Sequence, residues 1–463
     1  MQRLRVLILA AGKGTRMKST RAKALHRVGG LPMLEHVVRA ARKVSGDVSV
    51  VVGHQAESVM EAVGNVEFIR QNGQRGTGHA VMAAREAIQD ASDVLILPGD
   101  VPLVSAGVLG AFVDFYRSGG FAGAVLTATL EDAGGYGRIV RRSRNEIDRI
   151  VEDRDANAEI RQIREVNSAI CAFAVPELLD ALDRVRTDNV QKEYYLTDVV
   201  GILSEKGSRI GAFETPEPTE TLGINSRQEL AAVDRLLRRR KCQALMDAGV
   251  TIMDPESAWI DTDVSIGQDS LIYPSVAIEG TSELGPEVTV RSYTRITDSK
   301  VGRGSTILEG CVIEQSEIRR QVQVGPSAHL RPGSVLEDRV RVGNYVEIKK
   351  SRLGKGTKAG HLAYLGDTET GRDVNVGAGV ITCNYDGVHK HPTSIADEVF
   401  IGSDSQLIAP VRVGKGAYVA AGSTITDDVP AHALAIGRGR QVIKKDWKKN
   451  RTHKARARGT RKG

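Results

Sequence analysis

From Leu4 to about residue 225, short aliphatic runs alternate with helical patterns. Leu4–Ala10 and Val48–Val52 are aliphatic or β-branched runs. Between them Pro32 opens a segment in which Met33, Leu34, Val37, Val38, Ala41 and Val44 recur at helical spacing, with proline at a permitted first-turn position. That is a βαβ unit. Further strands are predicted at Val94–Leu97 and Ala122–Leu130 and a helix over Gly78–Ile88. The pattern predicts an open, mainly parallel sheet with helices on both faces, an α/β domain of Rossmann-like class over residues 1–225. Residues 226–248 form a linker helix, with Leu230, Val233, Leu237 and Leu245 as a partial apolar stripe and Arg238–Lys241 as a charged face.

Beyond residue 248 the pattern changes kind. Ile260, Ile266, Ile272, Ile278, Leu284, Val290 and Ile296 stand six apart; the series resumes through Val301, Ile307 and Ile313, through Ile318 to Ile348, and again from Ile401 to Ile425. A period of six is the hexapeptide repeat of a parallel β-helix, in which each short strand turns one aliphatic side chain inward and three strands complete a coil. Glycine follows many inward residues (Gly267, Gly302, Gly325, Gly343, Gly354, Gly402, Gly414), the expectation being tight corners with unusual backbone angles. Five-residue steps before Val301, Ile318 and Leu353 must be absorbed at corners. The period breaks between Leu365 and Ile401, where a long insertion is expected to carry function. The β-helix domain is placed at 249–439 and a basic, disordered tail at 440–463.

Charge sharpens this division. The chain of 463 residues carries a formal +7, but 11 Lys or Arg against one acid in residues 440–463 give that end +10 and leave −3 on everything before it. The charge is a property of the end, not of the body, and aromatic residues are only 4%. A nucleic-acid partner is therefore not expected for the body. No run approaches the ~20 apolar residues of a membrane span. Cys171, Cys242, Cys311 and Cys383 are scattered, with no CxxC pair and no histidine at zinc spacing, which suits thiols in a reducing compartment, the cytoplasm.

The first strand ends in LAAGKGTRM (9–17), which is neither a Walker loop nor a dinucleotide fingerprint, since Lys13 lies between the glycines and Met17 replaces the third glycine. Gly12 and Gly14 let backbone N–H groups approach an anion, with Lys13 and Arg16 adding charge; a plain basic turn accounts for the loop equally well. LPGDVPL (97–103) puts Asp100 after a buried strand, where a carboxylate can hold magnesium. QNGQRGTGHA (71–80) offers Gln71, Gly76 and Thr77 for base-edge contacts, or for helix capping. Together these motifs resemble the sugar-1-phosphate nucleotidyltransferases, in their UDP-N-acetylglucosamine pyrophosphorylase branch. The resemblance implies that Ala10, Ala11, Gly12 and Lys23 contact the nucleotide and that Gln71, Gly76 and Thr77 read uracil. It further implies that Gly137, Glu152 and Asn167 hold the amino sugar, that Asp100 with Asn225 binds Mg2+, and that Arg16 and Lys23 offset phosphate charge during transfer. Ala22, Ala169 and Ser226 depart from the family's usual proline, glycine and asparagine.

In the second half the informative segments are GNYVEIKKSRLGKGTKAGHLAYLGD (343–367) and VNVGAGVITCNYDG (374–387), where His361 lies near Tyr364, Asn384 and Tyr385. Acetylating an amine requires removal of its proton, which suits histidine. Over its whole length the chain resembles the bacterial bifunctional family that joins N-acetylglucosamine-1-phosphate uridyltransferase to glucosamine-1-phosphate N-acetyltransferase. That resemblance implies His361 as general base, with Arg331, Lys349, Tyr364, Asn375, Asn384 and Tyr385 on the sugar phosphate. It places Ala378, Asn384, Tyr385, Ser403, Ala421 and Arg438 on acetyl-CoA, with Lys390 reaching that cofactor from a neighbouring subunit. It also implies a left-handed β-helix, a homotrimer, UTP and acetyl-CoA as co-substrates, and a product that feeds peptidoglycan and other envelope polysaccharides. Arg331 and Lys349 are 18 residues apart, one full coil, hence stacked on one face. Two other readings stand beside this one: a single nucleotidyltransferase whose β-helix regulates or assembles it, and a nucleic-acid-associated protein acting through its basic end.

Overall fold

The computed structural model describes residues 3–449 and 451, and the chain divides into two compact units, Met1–Ala244 with Ile260–Asp263 and Leu245–Trp259 with Val264 onward. The expected disordered tail at 440–463 falls largely outside the described residues; Arg440–Lys449 are exposed.

In the first unit the strands are β1 (Leu4–Leu9), β2 (Arg27–Val28), β3 (Leu31–Pro32), β4 (Val48–Val52), β5 (Glu67–Arg70), β6 (Asp93–Pro98), β7 (Gly123–Thr129), β8 (Arg138–Ser143), β9 (Glu146–Val151), β10 (Glu165–Ala174) and β11 (Ile210–Glu214). β2 and β3 form a small hairpin; the other nine make one sheet in the order β5-β4-β1-β6-β10-β7-β11-β9-β8. The helices are α1 (Met33–Arg42), α2 (Ala56–Ala62), α3 (Thr77–Ala83), α4 (Arg85–Ile88), α5 (Ala106–Ser118), α6 (Val175–Leu182), α7 (Asp198–Glu205) and α8 (Arg227–Asp247). The central strands β4, β6 and β7 read as nearly continuous apolar runs because both faces are covered. Val6, Ile8, Val50, Val52, Leu95 and Leu97 point into a core shared with Leu34, Val37 and Val38 of α1 and Phe112 of α5. Leu7, Val51, Val94 and Ile96 point the other way, against Val81 of α3, Leu178 of α6 and Val199 of α7.

One expectation is refined here and one corrected. The sheet is mainly parallel in strand direction but mixed, since β10 lies antiparallel between β6 and β7, and β9 runs antiparallel to both β11 and β8. The single helix expected over Gly78–Ile88 is broken at Ala84, whose backbone leaves helical geometry. The stripe on α8 is not left bare, since Leu230, Val233 and Leu237 pack with Met17, Val28 and Met33 in the first unit. α8 is opened by a capping box: Ser226 Oγ accepts from Glu229 N (3.2 Å), while Glu229 Oε2 accepts from Ser226 N (2.9 Å) and from Asn225 N.

The second unit is a left-handed parallel β-helix, whose three sheets have 11, 10 and 9 strands. Its inward side chains, among them Ile272, Ile278, Val290, Ile296 and Ile307, are fully buried. Each five-residue step is taken at a corner whose residue turns left-handed: Asp298, Gln315 and Lys350 have φ of 46°, 42° and 45°. The glycines after inward residues serve a different purpose from the one expected. Apart from Gly325 (φ 98°) none of those seven has a positive φ; they lack a side chain because the next coil lies too close. A Cβ at Gly343 would stand 1.7 Å from Gly360 O, and one at Gly402 2.4 Å from Ala421 N.

The expected long break between Leu365 and Ile401 is also corrected. Strands at Thr368–Thr370, Asn375–Val376 and Ile381–Cys383 continue the coils, and only residues 384–392 leave the solenoid before it resumes at Thr393–Ile395. Partners across this excursion, such as Asn375 and Phe400, are 25 residues apart, against 17 for Lys358 and Asn375.

Candidate functional site

The carboxyl ends of β1 and β6 open onto a cavity of about 600 Å³, the usual place for a ligand in an open α/β sheet. Its first wall is the loop after β1. Gly14 has φ 59°, and a Cβ there would lie 2.6 Å from Lys23 Cβ, whereas Gly12 faces open space. Gly14 is therefore the position that lets Lys23 reach the site. The Lys23 ammonium pairs with Asp100 Oδ2 and donates to Asn225 Oδ1 at 2.8 Å; Arg16 donates to the same amide oxygen at 2.8 Å. Thus the two expected metal ligands already converge on one cation, that of Lys23. Among the described residues no group of three or more His, Cys, Asp or Glu could hold a metal. One carboxylate and one amide oxygen fit magnesium, which keeps waters and takes phosphate oxygens, and would not suffice for an ion that needs an all-protein cage.

Farther along the cavity, Gln71 is buried, its Nε2 donating to Gly76 O (3.3 Å) and lying 2.9 Å from His79 Nδ1. Gly76 has φ 109° and no room for a side chain, since a Cβ would sit 2.5 Å from Tyr194 O. The Thr77 hydroxyl accepts from Leu196 N at 3.1 Å, which binds this loop to residues 193–197. At the far end Gly137, Glu152 and Asn167 come together: a Cβ on Gly137 would be 3.5 Å from Glu152 Oε2 and 3.7 Å from Asn167 Cβ. Burial pushes the Glu152 carboxyl up, while the Thr197 hydroxyl donates to it at 3.0 Å and opposes that shift. Asp198 is pushed up to about 6 by burial and by the charges of Glu152 and Asp155. Ala11 and Gly12 line the cavity; Ala10 lies on β1's continuation, hydrogen bonded to Val51 O.

In the β-helix, register builds a second site. Leu330 pairs with Ile348, which stacks Arg331 on Lys349, and Arg331 is held by Glu347 at 2.8 Å. Lys390, expected on the cofactor across a subunit boundary, stands against Lys349 in the same chain and holds that ammonium below the usual lysine range, with Arg331 adding to the effect. Two ammonium groups and a guanidinium gathered here, with Glu347 on the guanidinium and Asp367 acting on Lys349, suit an anionic ligand. The Tyr364 hydroxyl and Asn384 amide converge over Gly366, where a Cβ would lie 2.5 Å from one and 2.8 Å from the other. Asn384 is fixed by Asp367, and the Tyr385 hydroxyl donates to Gly387 O at 2.6 Å. His361 is exposed, and its Nδ1 lies 2.8 Å from Asn344 Oδ1, its register partner on the adjacent strand. With Nδ1–H donating to that oxygen, Nε2 keeps a lone pair and can take a proton. Ala378, Ser403 and Ala421 form a column on successive coils, linked by Asp404 N to Ala378 O and Gly422 N to Ser403 O, with Arg438 donating to Ala421 O at 2.7 Å. Asn375 begins the neighbouring column that continues with the stacked rings of Phe400 and Tyr418.

Comparison with known proteins agrees with both halves. Residues 6–191 match the MobA-like NTP transferase domain and residues 392–427 the bacterial transferase hexapeptide, six repeats. The bifunctional protein GlmU of Koribacter versatilis is 47% identical over 96% of this chain and 96% of its own. Those of Geobacillus thermodenitrificans and Streptococcus agalactiae are 46% and 45% identical, over 95% and 96% of this chain and 96% and 98% of theirs. The chain belongs to the bifunctional GlmU family. It is a two-domain enzyme, a uridyltransferase joined to an acetyltransferase. Against that family's usual pattern Ser226 is explained by its cap on α8, and Ala169 is strained, with φ 62° on the cavity wall. Sequence reasoning missed His79, Thr197, Asn344 and Gly366. Asn344 alone left a signal: it stands 17 residues before His361, the length of a shortened coil.

Proposed function

We propose that the C-terminal unit moves acetyl from acetyl-CoA to glucosamine-1-phosphate, and that the N-terminal unit then transfers uridylyl from UTP to N-acetylglucosamine-1-phosphate, giving UDP-N-acetylglucosamine and pyrophosphate. The observation that carries this is the pairing, within one chain, of a cavity ending in oxygens drawn onto a cation with a histidine base on a solenoid that also holds a cationic cluster.

In the N-terminal unit no protein nucleophile is needed, because the sugar phosphate oxygen attacks the α-phosphorus while pyrophosphate leaves. Asp100 and Asn225 would hold Mg2+, which neutralises phosphate charge when bound. Arg16 and Lys23 are free to turn from those oxygens to the phosphates. Gln71, Gly76 and Thr77 fix the base. Glu152 and Asn167 hold the amino sugar, with Thr197 orienting the carboxylate of Glu152. In the C-terminal unit Arg331, Lys349 and Lys390 grip the sugar phosphate, with Tyr364 and Asn384 beside it. The amine attacks the thioester carbonyl, His361 Nε2 takes the amine proton, and the thiolate of coenzyme A leaves. The column Ala378, Ser403, Ala421 and Arg438 offers an extended surface for that cofactor.

A homotrimer belongs to this reading, a closed ring of β-helices supported by the exposed, stacked Phe400 and Tyr418 (centroids 4.5 Å apart). So does the cytoplasm, where thiols stay reduced and both co-substrates occur. The product would supply envelope polysaccharides such as peptidoglycan. No described helix is long and apolar enough to cross a membrane.

The test is a paired assay: pyrophosphate release from UTP plus N-acetylglucosamine-1-phosphate, and thiol release from acetyl-CoA plus glucosamine-1-phosphate. Asp100→Ala is expected to abolish the first and spare the second, and His361→Ala the reverse. Loss of both activities from either change, with the fold intact, would sink the assignment of separate sites.

A further inference from the structure

The segment after β5 holds a side chain whose two ends differ sharply in hydrogen bonding. Gln71 is buried, and its backbone N–H donates to Val52 O at 2.8 Å, so its side chain is anchored at the root. Its Nε2 meets two acceptors, the Gly76 carbonyl at 3.3 Å and His79 Nδ1 at 2.9 Å. A carbonyl can only accept, so the amide is oriented with its NH2 toward Gly76 and His79. For His79 Nδ1 to accept as well, the imidazole must be neutral with its proton on Nε2. Oε1 is then left with no hydrogen bond among the described residues, on a side chain that lines the cavity.

The histidine is itself held in place. Its ring stacks on Tyr194, with centroids 6.2 Å apart and planes 29° from parallel. Tyr194 is pinned from both sides, its N–H donating to Arg75 O and its carbonyl accepting from Gly78 N, each at 2.8 Å. Gly76 lies so close to the Tyr194 backbone that it can carry no side chain.

We infer that His79 is a positioning residue that sets the choice of pyrimidine, by locking Gln71 so that it offers only an acceptor to the base. The inference rests on the uridylyl-transfer reading. Uracil carries a hydrogen at N3 and donates to Oε1. Cytosine carries a lone pair there, which faces the lone pairs of Oε1. To accept cytosine the Gln71 amide would have to turn by half a rotation, which would aim Oε1 at the Gly76 oxygen and at His79 Nδ1, acceptor against acceptor. A site with a committed hydrogen-bonding group rejects the mismatched ligand far more strongly than an apolar pocket can.

The experiment is kcat/KM for UTP and for CTP, by pyrophosphate release with N-acetylglucosamine-1-phosphate, on the full chain. His79→Phe keeps a ring on Tyr194 and removes the acceptor; His79→Asn returns an acceptor on a shorter arm. His79→Phe is expected to cut the UTP:CTP ratio by about tenfold or more, the worth of one such hydrogen bond, and His79→Asn to restore most of it. A His79→Phe enzyme slower with both nucleotides but with the ratio unmoved would overturn the inference. If that variant does not fold, a folded His79→Leu enzyme, which also lacks the acceptor, with an unmoved ratio would overturn it equally. Thiol release from acetyl-CoA should not change in either variant. A wild type that released pyrophosphate from neither nucleotide would fail the uridylyl-transfer reading itself, an outcome distinct from an active enzyme whose selectivity ignores His79.

Discussion

Replacing Ala169 by glycine should stabilise the first unit. β10 pairs with β7 through Asn167↔Thr127 and Cys171↔Val125, and the register slips between these pairs. Ala169 takes up the slip with φ 62°, its N–H donating to Asn167 Oδ1 at 2.9 Å. A left-handed backbone costs an L residue roughly 1–2 kcal/mol. Glycine removes that strain but gives the unfolded chain extra freedom worth about 0.5–1 kcal/mol in the opposite direction. The net gain is about 0.5–1 kcal/mol, and for a unit of this size the melting temperature should rise by roughly 1–3 °C. Ala169 lines the cavity and is exposed, so deleting its methyl opens no void in the core. Calorimetry on the full chain measures the effect, the relevant transition being the one that moves up with added UTP. The control is Ala169→Val, whose β-branch tolerates this conformation worse and should lower the same transition. An Ala169→Gly protein that melts no higher than wild type, or an Ala169→Val protein that melts no lower, would refute the strain argument.

Two other perturbations follow from close packing and from charge. Gly343→Ala should destabilise the β-helix by about 3 kcal/mol or more, because its Cβ would overlap backbone of the next coil, while Gly360→Ala, with nothing within 4 Å of its Cβ, should change stability by less than about 0.5 kcal/mol. Equal melting temperatures for the two variants would show that coil spacing is not what excludes side chains. Asp198 has its carboxyl raised from an ordinary value of 3.8 to about 6, so the folded state binds more protons and the first unit loses stability as pH rises through that window. Asp198→Asn should remove this loss, leaving the variant more stable than wild type by about 1–2 kcal/mol above pH 6, after discounting for partial exposure, with the gap closing toward pH 4. Melting curves at the two pH values check it, and a gap independent of pH would rule out ionisation as the cause.

The alternation of apolar positions was enough to find both architectures, because a strand covered on two faces and a coil with one inward residue in six each leave a periodic trace. Strand direction left none. β10, EVNSAICAFA, is as apolar as a parallel strand would be in its place, and only its register with β6 and β7 shows that it runs the other way. The repeat was lost after Leu365 for a different reason: Thr368, Thr370, Thr382 and Thr393 are buried there among Val374, Val376, Val380 and Ile395, so a search for aliphatic side chains at a strict period of six sees a gap where the solenoid continues. Those hydroxyls are tolerated because most find a partner in the coil wall, as Thr368 and Thr382 do on Gly366 O at 2.9 and 3.2 Å. Gly366 thus accepts from two buried threonines while its missing side chain leaves room for Tyr364 and Asn384, a double duty that no local motif announces. The same holds for the two histidines. His361 and His79 stand in segments marked by their glycines and charges, but what makes each useful is the acceptor or donor opposite: Asn344 one coil earlier, Gln71 eight residues before. Motifs name the residues that can meet a substrate; the partners that fix their tautomer or their amide orientation are supplied by register and loop closure, which exist only once the chain has folded.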